Sequence, residues 1–316
     1  RLAPVYVTLA LIANGTGQYE NAIQRARKAL EFDPINTEAY RELGKAYQAL
    51  GKLAEAEATY QQAIKARPND WASSNALGVF YSQHARYADA ESQFRRVVEL
   101  TPDNVRGYNN LGGIYQRMHR YQDAEAALKK SLEIRPTAAG YSNLGTIYYY
   151  YLKRPADAVR MFEQATRIGD RDYRWWRNLG IAYFWGTGER EKARTAVQKA
   201  IDFAEMDRQT NPRSQPVLIS LADCYAMAGE NGRALDYLKQ AMDVAPVDVN
   251  LMATVAGIHE TLGQRALALE WIGKALRGGY SRDLVENSPS LAELRATGMI
   301  PLLPFTIITL PCHVAA

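Results

Sequence analysis

Asparagine stands immediately before a Leu-Gly pair three times in this sequence, at Asn110, Asn143 and Asn178, and two further amides, Asn75 and Asn109, sit one place earlier in the same pattern. A carboxamide both donates and accepts hydrogen bonds, so a row of them can pair with a peptide backbone whatever its side chains. Arg106, Arg117, Arg174 and Arg177 lie around these positions with Gln116 alongside, and almost no acids are near them in the sequence. That combination fits an extended chain bearing carboxylates. A plainer reading stays open, in which the amides only cap helices or face water. The same stretch carries Tyr149, Tyr150, Phe184 and Trp185. Aromatic groups of this kind either form anchor pockets for a partner's side chains or pack against neighbouring helices.

Catalytic chemistry finds no comparable grouping. The four histidines, His84, His119, His259 and His313, belong to no His-Glu-x-x-His pattern, and no Gly-x-Ser-x-Gly elbow occurs. Gly15-Thr16-Gly17 and Gly186-Thr187-Gly188 have no Lys-Ser/Thr after them and read as turns rather than phosphate cradles. Asp170-Arg171-Asp172 reads as a solvated linker. Cys224 and Cys312 are far apart with no Cys-x-x-Cys, and Cys224 falls beside apolar helix positions, as expected of a buried, inert thiol. The expectation is a protein that is not an enzyme and needs no metal or cofactor. The formal net charge of +4, spread among acids, argues against a nucleic-acid binder, which concentrates basic residues in stripes.

The elements that hold these residues follow from a repeat. Prolines recur at Pro34, Pro68, Pro102 and Pro136, each 34 residues after the last; Gly44, Gly78 and Gly112, and Ala22, Ala56, Ala90 and Ala124, keep the same step. Within a repeat, apolar residues return at helical spacing, as in Leu43, Tyr47 and Leu50. The second repeat reads Tyr40, Leu43, Gly44, Tyr47, Ala56, Tyr60, Ala63, Pro68; the third carries Leu77, Gly78, Tyr81, Ala90, Phe94 and Pro102. These columns resemble the tetratricopeptide repeat, in which two helices pair as a hairpin and hairpins stack. The resemblance implies an all-α fold, an alpha-alpha superhelix of about eight repeats near 3–36, 37–70, 71–104, 105–137, 138–172, 173–214, 215–248 and 249–282, with a closing helix at 283–296 and an apolar, proline-interrupted tail at 297–316. It also implies that the first helix of each repeat lines the inner face, through the positions just before Leu-Gly, two before it, and one, four and five after it. A peptide or partner protein, acidic in character, is the ligand this implies, lying across repeats three to six.

Several local expectations follow. Gly44 and Ala56 mark a close helix crossing, and Gly51, Gly229 and Gly263 end first helices in the left-handed conformation. The fifth repeat has one extra residue, placed in its turn around Leu152 to Pro155. The sixth is longer, with a second helix from about Glu189 to Arg208 and a polar loop from Gln209 to Gln215. The first helix, Pro4 to Asn14, presents Val7 and Leu11 outward, as expected if something upstream covers it in a longer chain. Ala275-Leu276-Arg277-Gly278-Gly279-Tyr280 and Leu284 to Ala296 resemble the closing segment of tetratricopeptide arrays attached to bacterial serine/threonine kinases and transcriptional regulators. That implies a docking or sensing arm of a signalling protein, in the bacterial cytoplasm or outside an anchoring membrane. Residues 297–316 hold Pro301, Pro304 and Pro311, which makes them a poor membrane span. Two rival readings remain: a regulatory domain binding a small molecule between Tyr149 and Trp185, and a structural oligomeriser using the first helix or the tail.

Overall fold

The computed structural model describes residues 2–296 and 298, so the stretch 297–316 falls outside the description apart from Gly298. The described chain is helical with no strand. It forms two compact units, Arg1–Pro136 and Thr137–Ala316, where the repeat register alone gives one continuous array.

The N-terminal unit is four helical hairpins: α1 (Ala3–Gly15) with α2 (Tyr19–Phe32), α3 (Thr37–Ala49) with α4 (Leu53–Ala66), α5 (Trp71–Gln83) with α6 (Tyr87–Leu100), and α7 (Val105–Arg117) with α8 (Tyr121–Ile134). Each hairpin passes its second helix to the first helix of the next, and first helices also touch first helices. Side-chain caps start the later first helices. Asn36 Oδ1 accepts from the Ala39 amide at 2.9 Å, Asp70 from Ala72 at 3.2 Å, and Asn104 from Gly107 at 3.0 Å. Such a cap satisfies one of the free amides at a helix start and contributes about 1 kcal/mol.

Second helices start differently. Arg86 and Arg120 occupy the cap positions of α6 and α8, where a cation opposes the helix dipole. Three contacts offset this. Each guanidinium lies over the tyrosine ending the preceding helix, Arg86 over Tyr81 at 4.2 Å and Arg120 over Tyr115 at 4.4 Å. Each pairs with an acid in its own first turn, Asp89 or Asp123. Each also reaches back one repeat, Arg86 to Glu57 at 2.7 Å and Arg120 to Glu91 at 2.8 Å. The arginines therefore staple successive hairpins.

The glycine column sets the hairpin spacing. A Cβ on Gly44 would lie 2.6 Å from the Tyr60 ring, and one on Gly78 would lie 2.6 Å from the Phe94 ring. Ala56 is fully buried too, but the group that leaves Gly44 no room is the ring of Tyr60, four residues further along α4. Gly51, Gly229 and Gly263 have positive φ as expected, and the matching turns of other repeats place Ala85, His119 and Lys153 in the same left-handed region. Val7 does not face outward: it is buried against Ala29 and Ala39, while Leu2, Val5, Leu9, Leu11 and Ile12 form the exposed side of α1.

The C-terminal unit continues with α9 (Ala138–Thr146), α10 (Pro155–Ile168), α11 (Tyr173–Ile181), α12 (Arg190–Thr210), α13 (Gln215–Ala228), α14 (Asn231–Val244), α15 (Val249–Thr261) and α16 (Arg265–Arg277). The extra residue of the fifth repeat is not in a lengthened turn. It widens the end of the first helix into a π-helical segment, Ile147–Tyr151, and the sixth repeat does the same at Ala182–Thr187. The closing helix is likewise broken, into α17 (Arg282–Asn287), a 3-10 turn (Pro289–Leu291) and α18 (Ala292–Ala296), because Pro289 supplies no amide to continue a ladder. Val285, Leu291 and Leu294 bury this segment against Ala253, Ile272 and Ala275. Its 3-10 turn touches both α15 and the Ala182–Thr187 segment, and α17 touches Ile147–Tyr151. Among the described residues no helix is long and apolar enough to cross a membrane.

Candidate functional site

In the N-terminal unit the first helices α3, α5 and α7 border a groove of about 600 Å³. Arg41, Lys45, Trp71, Asn75, Val79 and Arg106 are among its lining, which includes no acid. Asn110 on α7 donates its amide to Asn75 Oδ1 on α5 at 2.8 Å. The pair spends one donor and one acceptor on itself, leaving the Asn75 amino group and the Asn110 carbonyl for a ligand. Asn109 is half-buried, and its Oδ1 is enclosed with no hydrogen-bond partner among the described residues. Arg106 and Arg117 are exposed, and neither pairs with an acid among the described residues. Gln116 is half-buried beside them.

Two of the groove's cations have carboxylates behind them. Arg41 lies 3.4 Å from Asp70, which also accepts from Ser73 at 2.6 Å and caps α5. Burial pushes the Asp70 carboxyl up, but the hydrogen bonds from Ser73, Thr37 and the Ala72 amide, with Arg41 nearby, hold it below the usual range. Lys45 pairs with Glu42 at 2.5 Å, and Glu42 is only 3% exposed. Arg106 is the cation whose charge is uncompensated.

The C-terminal unit treats its predicted residues differently. Asn143 is exposed, while Asn178 donates to the Ser142 hydroxyl at 3.1 Å. Arg174 is held by Asp172 at 2.5 Å, and Arg177 by Asp223 through Nε at 2.8 Å and a terminal nitrogen at 2.6 Å. These two arginines are therefore not free groove cations, and the local excess of positive charge read from the sequence is absent here. Burial opposes the charge of Arg177, but the Asp223 carboxylate beside it raises its pKa overall, so the guanidinium stays charged.

The four aromatics also divide. Tyr149 is 3% exposed and packs as a wall: its ring leaves 3.0 Å for a Cβ at Gly186, and its hydroxyl has no hydrogen-bond partner among the described residues. Phe184 lies under the Arg190 guanidinium at 3.6 Å. Tyr150 and Trp185 line a cavity of about 250 Å³ that also takes in Arg177, Asp223, Tyr280 and Ser290. Asp223, Tyr151, Tyr280, Ser288 and Ser290 were not singled out from the sequence. Asp223 falls one place after the small residue of its repeat, a column the resemblance assigns to the inner face. The others have no such signal, because the π-helical segment and the closing turn lie off the repeat register. Cys224 is fully buried and burial pushes its thiol pKa up, which keeps it protonated and unreactive. Among the described residues no three metal-ligating side chains gather.

Stacked helical hairpins with an inner layer of first helices place this chain among the alpha-alpha superhelical repeat scaffolds. Tetratricopeptide repeat family models match residues 13–77, 103–171 and 147–208, and the chain belongs to that family. A curated relative, the Bos taurus protein named BBSome complex member BBS4, is 23% identical over 127 residues, 40% of this chain and 23% of that protein. The chain thus matches about a quarter of that relative's length. A tetratricopeptide repeat protein structure from Parabacteroides merdae superposes with a TM-score of 0.58 at 18% identity, covering 81% of this chain and 98% of that one. The APC/C hetero-tetramer Cut9-Hcn1 gives 0.55 at 16% identity over 89% and 52%. Pseudomonas aeruginosa pilF gives 0.51 at 20% over 68% and 94%. At these identities the structural likeness defines the fold. Tetratricopeptide repeats are generally non-enzymatic and serve as protein-protein interaction scaffolds.

Proposed function

We propose that the N-terminal unit docks an extended, acidic segment of a partner protein along α3, α5 and α7. The observation that carries this reading is Asn75, hydrogen-bonded by the neighbouring Asn110, in a groove lined by Arg41, Lys45 and Arg106 with no acid among its described lining residues. The amides offer a donor and an acceptor to a backbone, which fixes register without reading sequence. Arg106 meets a carboxylate, and Trp71 and Val79 give the partner's side chains an apolar floor. The segment belongs in the N-terminal unit rather than across repeats three to six, since Arg174 and Arg177 are already neutralised. The closing-segment resemblance supports a docking arm of a bacterial signalling protein as the setting. Selection from a display library of short random peptides against the full chain tests this. Acidic peptides should be enriched, and Arg41→Ala with Arg106→Ala should weaken a selected peptide about tenfold or more, the loss expected when charged hydrogen bonds are removed. Enrichment of basic or purely apolar peptides, or unchanged affinity in a variant that melts normally, would contradict it.

A further inference from the structure

The cavity of the C-terminal unit is built from several separate parts of the chain. The π-helical end of repeat five supplies Tyr150 and Tyr151, α11 and its π-helical continuation supply Arg177 and Trp185, and the turn after α17 supplies Ser288 and Ser290. Asp223 comes from α13, Thr254 and Gly257 from α15, and Tyr280 from the residues before α17. Its volume of about 250 Å³ equals roughly eight water molecules at liquid density. That is below the usual size of a drug-sized pocket, roughly 300–1,000 Å³, and suits one small ring with its substituents.

Its chemistry narrows the occupant further. Among the described residues, the only charged ones in the lining are Arg177 and Asp223, and they neutralise each other at 2.6 Å. An anion would have to displace Asp223 from Arg177 and then face that carboxylate; a cation meets the reverse problem. A hydrocarbon fares no better. The Tyr150 and Tyr280 hydroxyls and the Trp185 indole N–H bond no protein group among the described residues, and covering them with an apolar ligand would strand them at a cost of about 1–3 kcal/mol each. Burial pushes both phenols up, Tyr280 to about 12, so both are protonated donors at neutral pH. Asp223 keeps acceptor capacity and Arg177 donor capacity beyond the contact they share. Adjacent donor and acceptor sites of this kind match vicinal hydroxyl groups, and the indole offers a flat face to a ring.

We propose that this cavity binds one small, uncharged, polyhydroxylated ring of hexose size, with Trp185 against its face, Tyr150 and Tyr280 donating to its oxygens, and the Arg177–Asp223 pair bridging neighbouring hydroxyls. The site lies wholly in the C-terminal unit and stands or falls separately from the peptide groove.

The full chain is titrated by calorimetry and saturation-transfer NMR with D-glucose, D-galactose and myo-inositol, and with glucuronate and glucosamine as charged counterparts. At least one neutral compound binds saturably, and the charged counterparts bind at least about tenfold more weakly, since each must break the internal ion pair. Tyr150→Phe and Tyr280→Phe melt like the parent chain, because neither hydroxyl serves the fold, yet each weakens binding by about three- to tenfold. Trp185→Ala removes the saturation transfer to the ring protons. The proposal is overturned if none of the neutral compounds binds at its highest soluble concentration, or if a charged counterpart binds more tightly. Unchanged binding in the Phe variants, or lowered melting that gives those hydroxyls a structural role, overturns it equally.

Discussion

The two units use the same hairpin for different ends. In the N-terminal unit the first helices of repeats two to four run as uninterrupted α-helix, and the inner positions border an open groove. In the C-terminal unit repeats five and six each carry one more residue between the glycine and the alanine columns, and both absorb it as a π-helical segment. The hairpin contact cannot yield: Gly145 packs on Phe162 with 2.7 Å for a Cβ, and Arg154 stacks on Tyr148 at 4.4 Å. One residue held between two fixed contacts widens the helical turn. A residue advances about 100° around an α-helix, so the insertion brings Tyr151, one place past the last lining column, to the inner face beside Tyr150. The closing turn then packs against this broadened surface. The lesson is that a single inserted residue per repeat turns an open groove into a small walled cavity, in keeping with the tendency of π-bulges to mark functional sites.

The comparison can be broken first at the glycine column. Gly78→Ala in the N-terminal unit sets a methyl 2.6 Å from Phe94 and should cost about 1–3 kcal/mol in urea denaturation, as overpacking does. Gly257→Ala in the C-terminal unit, one place past that column in a cavity wall whose nearest neighbour is the Ser290 oxygen at 3.7 Å, should leave stability nearly unchanged. Equal costs would mean that the cavity wall is packed as tightly as the hairpin contact.

A second break restores the regular step. Deleting Tyr151 should leave helical circular dichroism intact while amide exchange at Leu291 and Leu294 speeds up by about tenfold or more, as local opening becomes cheaper. Unaltered exchange would show that the π-helical segment does not support the closing turn.

Acid offers a third handle. At Glu205, burial pushes the carboxyl up, but hydrogen bonds from Tyr237, Arg208 and Tyr225 hold it below its ordinary value. A depressed folded pKa contributes stability that is present above the unfolded pKa of about 4.3 and is lost as pH falls through the folded value. Glu205→Gln should therefore flatten the loss of stability below about pH 4 in exchange measurements on the C-terminal unit. Asp70→Asn should do so in the N-terminal unit. An unchanged acid slope would remove these carboxylates from the account.

The smallest effect lies in the turns. Ala85→Gly and Lys153→Gly relieve left-handed backbone at φ 57° and 53° and should each stabilise by up to about 1 kcal/mol. A loss in thermal melting would contradict that.

Most of the hairpin architecture was legible in the columns, because Gly44, Gly78 and the buried alanines have a steric task that only small side chains perform. Arg41, Lys45, Asn75, Val79, Gln83 and Arg177 line cavities from the positions that the resemblance assigns to the inner face. What stayed hidden depended on long-range pairing. Arg177 looks free in sequence because Asp223 is 46 positions away, and Arg174 looks free although Asp172 is two residues before it, since spacing does not say which side chains turn toward each other. Tyr149 and Tyr150 are neighbours of one type, yet only packing decides that one is a wall and the other a lining group. The closing segment was read as one helix over 283–296, so both the break at Pro289 and the contact of that segment with repeats five and six stayed hidden.

The most direct test of the account is a hydrogen-exchange footprint of a selected acidic peptide on the full chain. Slowed exchange should concentrate in Thr37–Ala49, Trp71–Gln83 and Val105–Arg117, the first helices around the amide pair. A footprint confined to residues 137–296, or to the second helices, would contradict the placement of the partner on the N-terminal groove.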